Sequence, residues 1–179
     1  MKPSVTNLIQ LLDKPALLNW ANKIGLQGIK IDDYRKKSLS SGSSLHKQIE
    51  NYVLHKVPFE KPENEINFNN FLFNKKIIDI EKKIETEYFT GRIDIKISIN
   101  GFVYLCDFKS NQKYIYFENK LQLAAYSMAE SCDGFAIISI PDFTFIPFAM
   151  PSKKSYQEII INLSNIYKLK KQIENETTN

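Results

Sequence analysis

The stretch GRIDIKISINGFVYLCDFKS, residues 91–110, consists of two alternating runs of apolar and polar residues that are joined by Asn100-Gly101. Asn-Gly between such runs is the strongest short-range signal for a β-hairpin with a two-residue type I′ turn. A turn of this kind sets the register of the two strands, so Ile99 is expected to pair with Phe102. The stretch therefore predicts which side chains face each other along the whole hairpin.

The predicted register sorts the side chains of the hairpin onto two faces. The apolar face is expected to carry Ile93, Ile95, Ile97 and Ile99 against Phe108, Cys106, Tyr104 and Phe102. On the other face Asp94 is expected directly opposite Asp107, with Lys109 two residues further along. Like charges in such a position are destabilising, and a hard divalent cation such as Mg²⁺, which prefers oxygen ligands, would remove the repulsion. The hairpin alone leaves open a chance meeting of two aspartates on a solvent face, and a bulge would change the register.

Composition limits the class of protein. With 179 residues, 43% hydrophobic and 25% charged, the chain is expected to form one domain over residues 1–173, followed by a polar tail at 174–179. The formal net charge of +4 permits an anionic partner such as nucleic acid without requiring one. The two cysteines, Cys106 and Cys132, are too few for a four-cysteine zinc or iron–sulfur site.

Targeting signals are not evident in the sequence. The N-terminal residues lack a long apolar signal core and an Arg-rich transit pattern. The most apolar stretch, residues 135–150, is interrupted by Pro141, Asp142 and Pro147, which argues against a membrane span. We therefore expect a cytoplasmic rather than a mitochondrial protein, with no membrane partner.

Periodicity and turn signals predict the remaining elements. Helices are expected at 14–25, 45–56, 65–73, 119–132 and 153–173, and strands at 76–80, 84–89, 135–140 and 143–150. The last strand is expected at a sheet edge because it contains Pro147. This order predicts an α/β or α+β sandwich around a mixed sheet.

Four motifs follow one another along the chain: His46 with Glu50 one helical turn later, Gly91-Arg92-Ile93-Asp94, Asp107-Phe108-Lys109, and Gln122-Leu-Ala-Ala-Tyr126. Their order resembles the PD-(D/E)XK nuclease superfamily, and more narrowly its RecB-like exonuclease branch. The chain is also similar to the mitochondrial genome maintenance exonuclease group and to small phage and bacterial relatives, from about residue 4 to residue 140. It departs from the pattern in having Ile93 in place of proline and aspartate rather than glutamate at position 107, and it lacks the cysteines of the iron–sulfur members. The resemblance implies an α/β, restriction-endonuclease-like core, with a central mixed β-sheet flanked by helices.

The resemblance also implies a role for each motif residue. The metal ligands would be His46, Asp94, Asp107 and the backbone carbonyl of Phe108, with Glu50 as a further candidate, and the ions one or two Mg²⁺ or Mn²⁺ without an iron–sulfur cluster. Lys109 would position and polarise the attacking water, while Gln122 and Tyr126 would orient the lysine or contact the scissile phosphate. An isolated histidine on a helix is more often structural, so the assignment of His46 depends on the other motifs. Glu87 is left open between a second metal site and a solvent-facing position.

The function implied by the resemblance is that of a metal-dependent DNA exonuclease acting on single strands or DNA ends. A structure-specific endonuclease or nickase of the same superfamily, and a non-catalytic nucleic-acid-binding subunit, are the alternatives. Lys113, Tyr114, Tyr116 and Lys120 alternate cations with aromatic rings, a composition that suits a single strand. A packed strand with its lysines outside remains the alternative for this segment. For residues 35–37 a solvated loop is favoured over a DNA contact, and Trp20 is expected in the core.

Overall fold

The computed structural model describes residues 2–12, 21–22, 24–28, 30 and 44–177. Its helices are α1 (Val5–Ile9), α2 (residues 44–55), α3 (Pro62–Leu72), α4 (Phe117–Tyr126) and α5 (Lys153–Thr177), and residues 21–22 and 24–26 are also helical. Its strands are β1 (Lys75–Glu85), β2 (Thr90–Ile99), β3 (Phe102–Ser110), β4 (Gly134–Ile140) and β5 (Thr144–Phe148). Most of the helix expected at 14–25, together with Trp20 and residues 35–37, lies outside the described residues.

The five strands form one mixed sheet in the order β1-β2-β3-β4-β5. Neighbouring strands are antiparallel except for β3 and β4, which are parallel and are connected through α4. A parallel pair needs a crossover, because the chain must return to the same end of the sheet before the second strand begins. The expected α/β class, a central mixed sheet flanked by helices, is confirmed.

Two apolar cores cover the two faces of the sheet. Side chains of α1, α4 and α5 pack on one face with Leu105 and Ile137, and side chains of α2 and α3 pack on the other with Cys106 and Ile138. Adjacent residues of a strand point to opposite faces, so both faces of β3 and β4 are buried. We call these the α4-side core and the α2-side core.

The structure corrects the predicted boundaries of β1. The two strands expected at 76–80 and 84–89 are one continuous strand with a bulge between Ile77 and Asp79. The chain then turns at Thr86, whose hydroxyl accepts hydrogen bonds from the backbone N–H groups of Tyr88 and Phe89, at 3.2 Å each. Two aromatic residues beside a threonine look like a strand in the sequence, whereas here the hydroxyl makes them part of a turn.

Two helices also differ in extent from their predictions. Helix α4 ends at Tyr126, short of residue 132, and the next residue, Ser127, donates its hydroxyl to Ala124 O at 2.7 Å. Helix α5 continues to Thr177, so part of the expected tail at 174–179 is helical. Strand β5 lies at the edge of the sheet, as its proline predicted. Among the described residues, no helix combines the length and apolar character needed to cross a membrane.

Candidate metal centre

Strands β2 and β3 separate at the two aspartates. Their register runs from Ile99 opposite Phe102 to Ile95 opposite Cys106, as the Asn-Gly turn predicts, and ends there. Beyond this point β2 continues beside β1, and β3 continues beside β4. The expected facing pair of Asp94 and Asp107 is therefore not part of the ladder. We call the opening between these two residues the fork.

A side chain replaces the backbone ladder at the fork. The N–H of Phe108 donates a 2.9 Å hydrogen bond to Asp94 Oδ2, where a continued antiparallel ladder would offer it a carbonyl of β2. The Asp94 carboxylate therefore satisfies a backbone donor that the separation of the strands would leave unpaired. This bond holds the two aspartate-bearing segments together although their backbones have parted.

The fork also reverses the direction of one side chain. Ile93 packs in the α4-side core, whereas Ile95 packs in the α2-side core. Residues two apart in a regular strand share a face, so the expected single apolar face is wrong at Ile93. The change of face occurs across Asp94, which lies between the two isoleucines.

One side of the fork is a hydrogen-bonded network around Asp107. Gln122 Nε2 donates to Asp107 Oδ1 at 2.7 Å and to the Tyr126 hydroxyl at 3.0 Å. Lys109 Nζ donates to Gln122 Oε1 at 3.4 Å and lies 2.5 Å from Asp107 Oδ2. Gln122 and Tyr126 are one turn apart on α4, which places both on the same face of the helix. The structure thus brings together the four residues that the third and fourth motifs supplied.

Asp107 has one oxygen without a hydrogen bond. The residue is 1% exposed, and no described residue donates a hydrogen bond to its Oδ2. Lys109 Nζ forms an ion pair with this oxygen at 2.5 Å. Beyond this ion pair, the oxygen has acceptor capacity that no described residue uses. It is available to a further positive group.

The other side of the fork gathers His46, Glu81 and Asp94. One potential ligand atom from each of these residues lies within 4.8 Å of the others. His46 comes from α2, and its Nδ1 is 3.8 Å from Asp94 Oδ2 while its ring meets the Phe108 ring edge-on at 5.4 Å. His46 was predicted to act together with Asp94, and its ring lies beside the Asp94 carboxylate.

Glu81 was not predicted from the sequence. It lies in β1, pairs with Arg92 at 2.7 Å between Oε2 and Nε, and has a backbone φ of 49°. A non-glycine residue at positive φ within a strand is uncommon, and such strained residues cluster at functional sites. No motif marks Glu81, because its position depends on a local distortion of β1 that periodicity does not reveal.

Glu50 and Glu87, the other acidic residues considered, lie in different settings. Glu50 lines a cavity of about 250 Å³ together with His46, Glu81 and Asp94, but its carboxylate pairs with Lys47 at 2.8 Å. Glu87 is exposed in the turn between β1 and β2, apart from the cluster of potential ligands. Glu50 thus borders the site, whereas Glu87 does not join it.

The electrostatics of the fork disfavour two ionised carboxylates in the absence of a cation. Burial, and next the charge of Asp107, raise the pKa of Asp94 well above its ordinary value. Burial also lowers the pKa of His46, although the Asp107 charge and a hydrogen bond to the Phe108 backbone act in the opposite direction. The imidazole is therefore neutral at pH 7, the form in which histidine binds metals.

Lys109 and Tyr126 both keep their protons. Burial lowers the pKa of Lys109, but the Asp107 and Asp94 carboxylates together outweigh that effect and the net direction is upward. Burial, followed by the Asp107 charge, raises the pKa of Tyr126 above its ordinary value. The centre therefore presents one fixed ammonium group and one phenolic O–H beside Asp107.

These residues fit a hard divalent cation. Carboxylate and carbonyl oxygens with one imidazole are ligands that Mg²⁺ and Mn²⁺ accept. Asp107 Oδ2 has acceptor capacity beyond its ion pair with Lys109, Asp94 resists ionisation beside Asp107, and the Phe108 backbone adjoins His46. A bound cation would contact Asp107 Oδ2 and would also favour the ionised form of Asp94. The free cysteines, Cys106 in the sheet and Cys132 after α4, are not part of this cluster.

The segment after β3 carries the predicted DNA-contact residues. Tyr114 is 70% exposed and Tyr116 is 54% exposed, and Lys113 is exposed beside them. Gln112 fixes the segment by donating to Tyr114 O and to Asn119 Oδ1, both at 2.7 Å. The segment is therefore not the packed strand of the alternative prediction, and its two tyrosine rings are accessible to solvent.

Comparison with known proteins gives little beyond the geometry. No protein-family model matches the chain, and no curated relative was found. Among solved structures, the chain is similar to the protein whose structure is described as "Crystal structure of SSO0001". That similarity has a TM-score of 0.47 at 16% identity, and it covers 92% of this chain and 76% of the other.

Proposed function

We propose that the protein is a metal-dependent nuclease that hydrolyses phosphodiester bonds of single-stranded DNA or of DNA ends. The observation that carries the proposal is the buried Asp107 carboxylate, with one oxygen lacking a hydrogen bond, held beside Lys109 and across the fork from Asp94. The resemblance of the four motifs to PD-(D/E)XK nucleases supports the same assignment.

Asp94, Asp107, His46 and the Phe108 carbonyl would hold the cation, and Glu81 is positioned to join them. When bound, Mg²⁺ or Mn²⁺ lowers the pKa of its water and neutralises phosphate charge. The fork brings the ligands from the sheet and from α2 to one point, so the protein's own contribution is largely orientation.

Lys109 would orient the attacking water and stabilise the charge that develops on the phosphate. Its ammonium group stays protonated because of the Asp107 and Asp94 carboxylates, so it acts as a hydrogen-bond donor and not as a general base. Gln122 keeps it in place by bridging Lys109 and Asp107.

Tyr126 would donate a hydrogen bond to the substrate. Its hydroxyl oxygen already accepts from Gln122, which leaves its own proton available to a phosphate oxygen. Tyr126 thus fixes the amide of Gln122 and at the same time offers a donor to the cleavage site.

The two alternatives differ in what they require of this centre. A structure-specific endonuclease would use the same residues on an internal bond. A non-catalytic nucleic-acid-binding subunit would have no use for two repelling buried carboxylates, which lower stability without contributing to phosphate binding. The geometry therefore favours the enzyme over the scaffold.

The deciding experiment uses end-labelled linear and circular single-stranded DNA with the purified protein. We expect Mg²⁺- or Mn²⁺-dependent degradation of the linear strand that EDTA stops, and the label position will give the polarity. Asp107→Asn should lose the activity, whereas Asp79→Asn, a matched change at a half-buried residue of β1 that pairs with Lys82, should keep it.

Each outcome of this experiment has a distinct meaning. Cleavage of circles would favour the endonuclease alternative over the exonuclease. A folded wild-type protein that cleaves neither substrate with either ion would overturn the proposal, as would equal activity of the Asp107→Asn variant, which would point to a contaminating nuclease.

A further inference from the structure

Two cations face each other beside the fork. Lys83 of β1 and Arg92 of β2 are cross-strand partners, so their side chains leave the same face of the sheet. Like charges in this position are destabilising unless an anion lies between or near them. Arg92 lies two residues before Asp94 on β2, so this cationic pair adjoins the fork.

Both cations line a cavity that opens onto the candidate centre. The cavity has a volume of about 760 Å³, and its wall includes Asp94, Gln122 and Tyr126 as well as Lys83 and Arg92. Three hydroxyl side chains, Ser4, Thr6 and Thr90, also line it. The cavity therefore combines two positive charges with hydroxyl donors at the side of the centre where Tyr126 would meet the substrate.

The charges around the cavity leave the cations partly free. Glu85 in the wall pairs with Lys2 at 2.6 Å, so it does not neutralise Lys83. Arg92 contacts Glu81 through Nε, at the inner side of its guanidinium group, and 59% of its side chain is exposed. No described residue forms a salt bridge with Lys83. The wall thus offers an ammonium and a guanidinium to an anion of the size of a phosphate.

We propose that this cavity binds a backbone phosphate of the DNA strand next to the bond that is cleaved, with Lys83 and Arg92 as its cationic contacts. The inference rests on the proposed function for the identity of the anion. Arg92 suits the role because its planar guanidinium can hold two phosphate oxygens while Glu81 keeps its inner edge in place. The site would set how the strand enters the centre and would contribute affinity without taking part in the chemistry.

The test measures the salt dependence of binding to a fluorescent single-stranded oligonucleotide in EDTA, so that no cleavage occurs. For single strands the slope of log affinity against log salt is roughly 0.7 for each phosphate contact. We expect Lys83→Ala and Arg92→Gln each to lower the slope by roughly that amount and to weaken binding, while Arg92→Lys keeps the slope. Lys76→Ala is the matched control, since Lys76 is exposed on the same strand and does not line the cavity.

The outcomes separate this inference from the proposed function. If Lys83→Ala behaves like Lys76→Ala, or if the wild-type protein does not bind the oligonucleotide, the inference is wrong. Lys83→Ala gives the cleaner result because it does not release Glu81 from its partner. Cleavage by the same samples after Mg²⁺ or Mn²⁺ addition is scored separately. Binding that depends on Lys83 but is not followed by cleavage would overturn the proposed nuclease activity and support the phosphate site. Cleavage with binding that does not depend on Lys83 would support the nuclease activity and overturn the phosphate site.

Discussion

At the scale of single residues, the carboxylates around Lys109 determine its protonation state and thereby the role that it can take. Its side chain is buried enough for desolvation to favour the neutral amine, yet the neighbouring carboxylates hold it in the charged form. A permanently charged lysine next to a carboxylate with an unbonded oxygen suits charge stabilisation. Without Asp107, Lys109 would lose its ion-pair partner and its pKa would be lower.

Replacing Lys109 by alanine is expected to lower the cleavage rate by about 10²–10³-fold, the usual loss when one charge-stabilising donor is removed. Binding of single-stranded DNA and the circular dichroism spectrum should be little changed. The measurement is single-turnover cleavage of a labelled strand under saturating protein.

Lys76→Ala is the control for Lys109→Ala. It removes the same charge from an exposed position of β1 that lies outside the hydrogen-bonded network and lines neither cavity of the candidate centre. This variant should keep the wild-type rate at saturation. A wild-type rate in Lys109→Ala would contradict the role given to Lys109.

At the scale of elements, the hairpin was predictable and the fork was not. The register from Ile99 to Ile95 follows from a two-residue turn whose geometry is local, so the sequence between the strands decides it. The fork depends on β1 and β4, which draw β2 and β3 apart, and no pattern within the hairpin carries that information. Tertiary partners therefore decided where the ladder stops.

The same difference between local and tertiary signals explains which residues of the candidate site were predicted from the sequence. His46, Gln122 and Tyr126 were predicted through the resemblance of their motifs to a nuclease superfamily, and the i, i+4 spacing of Gln122 and Tyr126 places both on one helix face. Glu81 was missed because it reaches the site through a positive φ in β1, which only the folded chain shows. The Asp94 bond to the Phe108 amide was missed for a related reason: the strands were expected to stay paired.

Gly91 is required by the packing between β2 and α4. A Cβ atom there would lie 2.9 Å from Tyr126 Cε1 and 3.3 Å from Ile84 Cγ1. We expect Gly91→Ala to displace the Tyr126 ring, to weaken its bond with Gln122 and to lower the cleavage rate by roughly 10–100-fold. The loss of stability should be about 1–3 kcal/mol in urea unfolding, as for other overpacked positions.

The Gly134→Ala variant separates the loss of stability from the loss of cleavage rate. A Cβ atom at Gly134 would lie 2.5 Å from Tyr104 Cε1, so this change also crowds the sheet, but away from the fork. Its stability should fall by a similar amount while the rate per folded molecule stays at the wild-type value. Equal rates in the two variants would show that Tyr126 does not depend on Gly91.

At the scale of the whole molecule, the candidate centre lies where three layers meet. His46 reaches it from α2 on one face of the sheet, Gln122 and Tyr126 reach it from α4 on the other, and Asp94 and Asp107 come from the sheet. A cation held here would connect both layers of helices. Its binding should therefore stabilise the fold as a whole.

We expect Mg²⁺ or Mn²⁺ to raise the thermal midpoint of the wild-type protein. A ligand at 100 times its dissociation constant adds about 2.7 kcal/mol to the free energy of unfolding, which corresponds to roughly 5–10 °C for a chain of this size. Asp94→Asn should show a much smaller shift. Calorimetry with and without EDTA measures both, and an equal shift in the two proteins would place the cation elsewhere.

Without a cation, Asp94→Asn should be more stable than the wild type at neutral pH, by up to about 1 kcal/mol, because a like-charged pair is removed. The raised pKa of Asp94 gives the sign of the pH dependence. Its contribution to stability is complete below the ordinary aspartate pKa of about 4 and is lost as the pH rises through the raised value. The advantage of the variant should therefore vanish in acid, and an advantage that persists there would contradict this account.

The fork has a further consequence for anyone who redesigns this sheet. Continuing the ladder past Ile95 and Cys106 would add strand pairing, and a stability screen run without a cation would reward changes that close the gap. Such variants would be more stable but would lose the proposed activity, because the closed ladder would take the Phe108 amide from Asp94 and remove the opening in which a cation would bind. Selection for thermal stability should therefore favour a closed hairpin, whereas selection for turnover should favour one that keeps the fork. In a mutant library built on this fold, the sequences of β2 and β3 should therefore be kept unchanged.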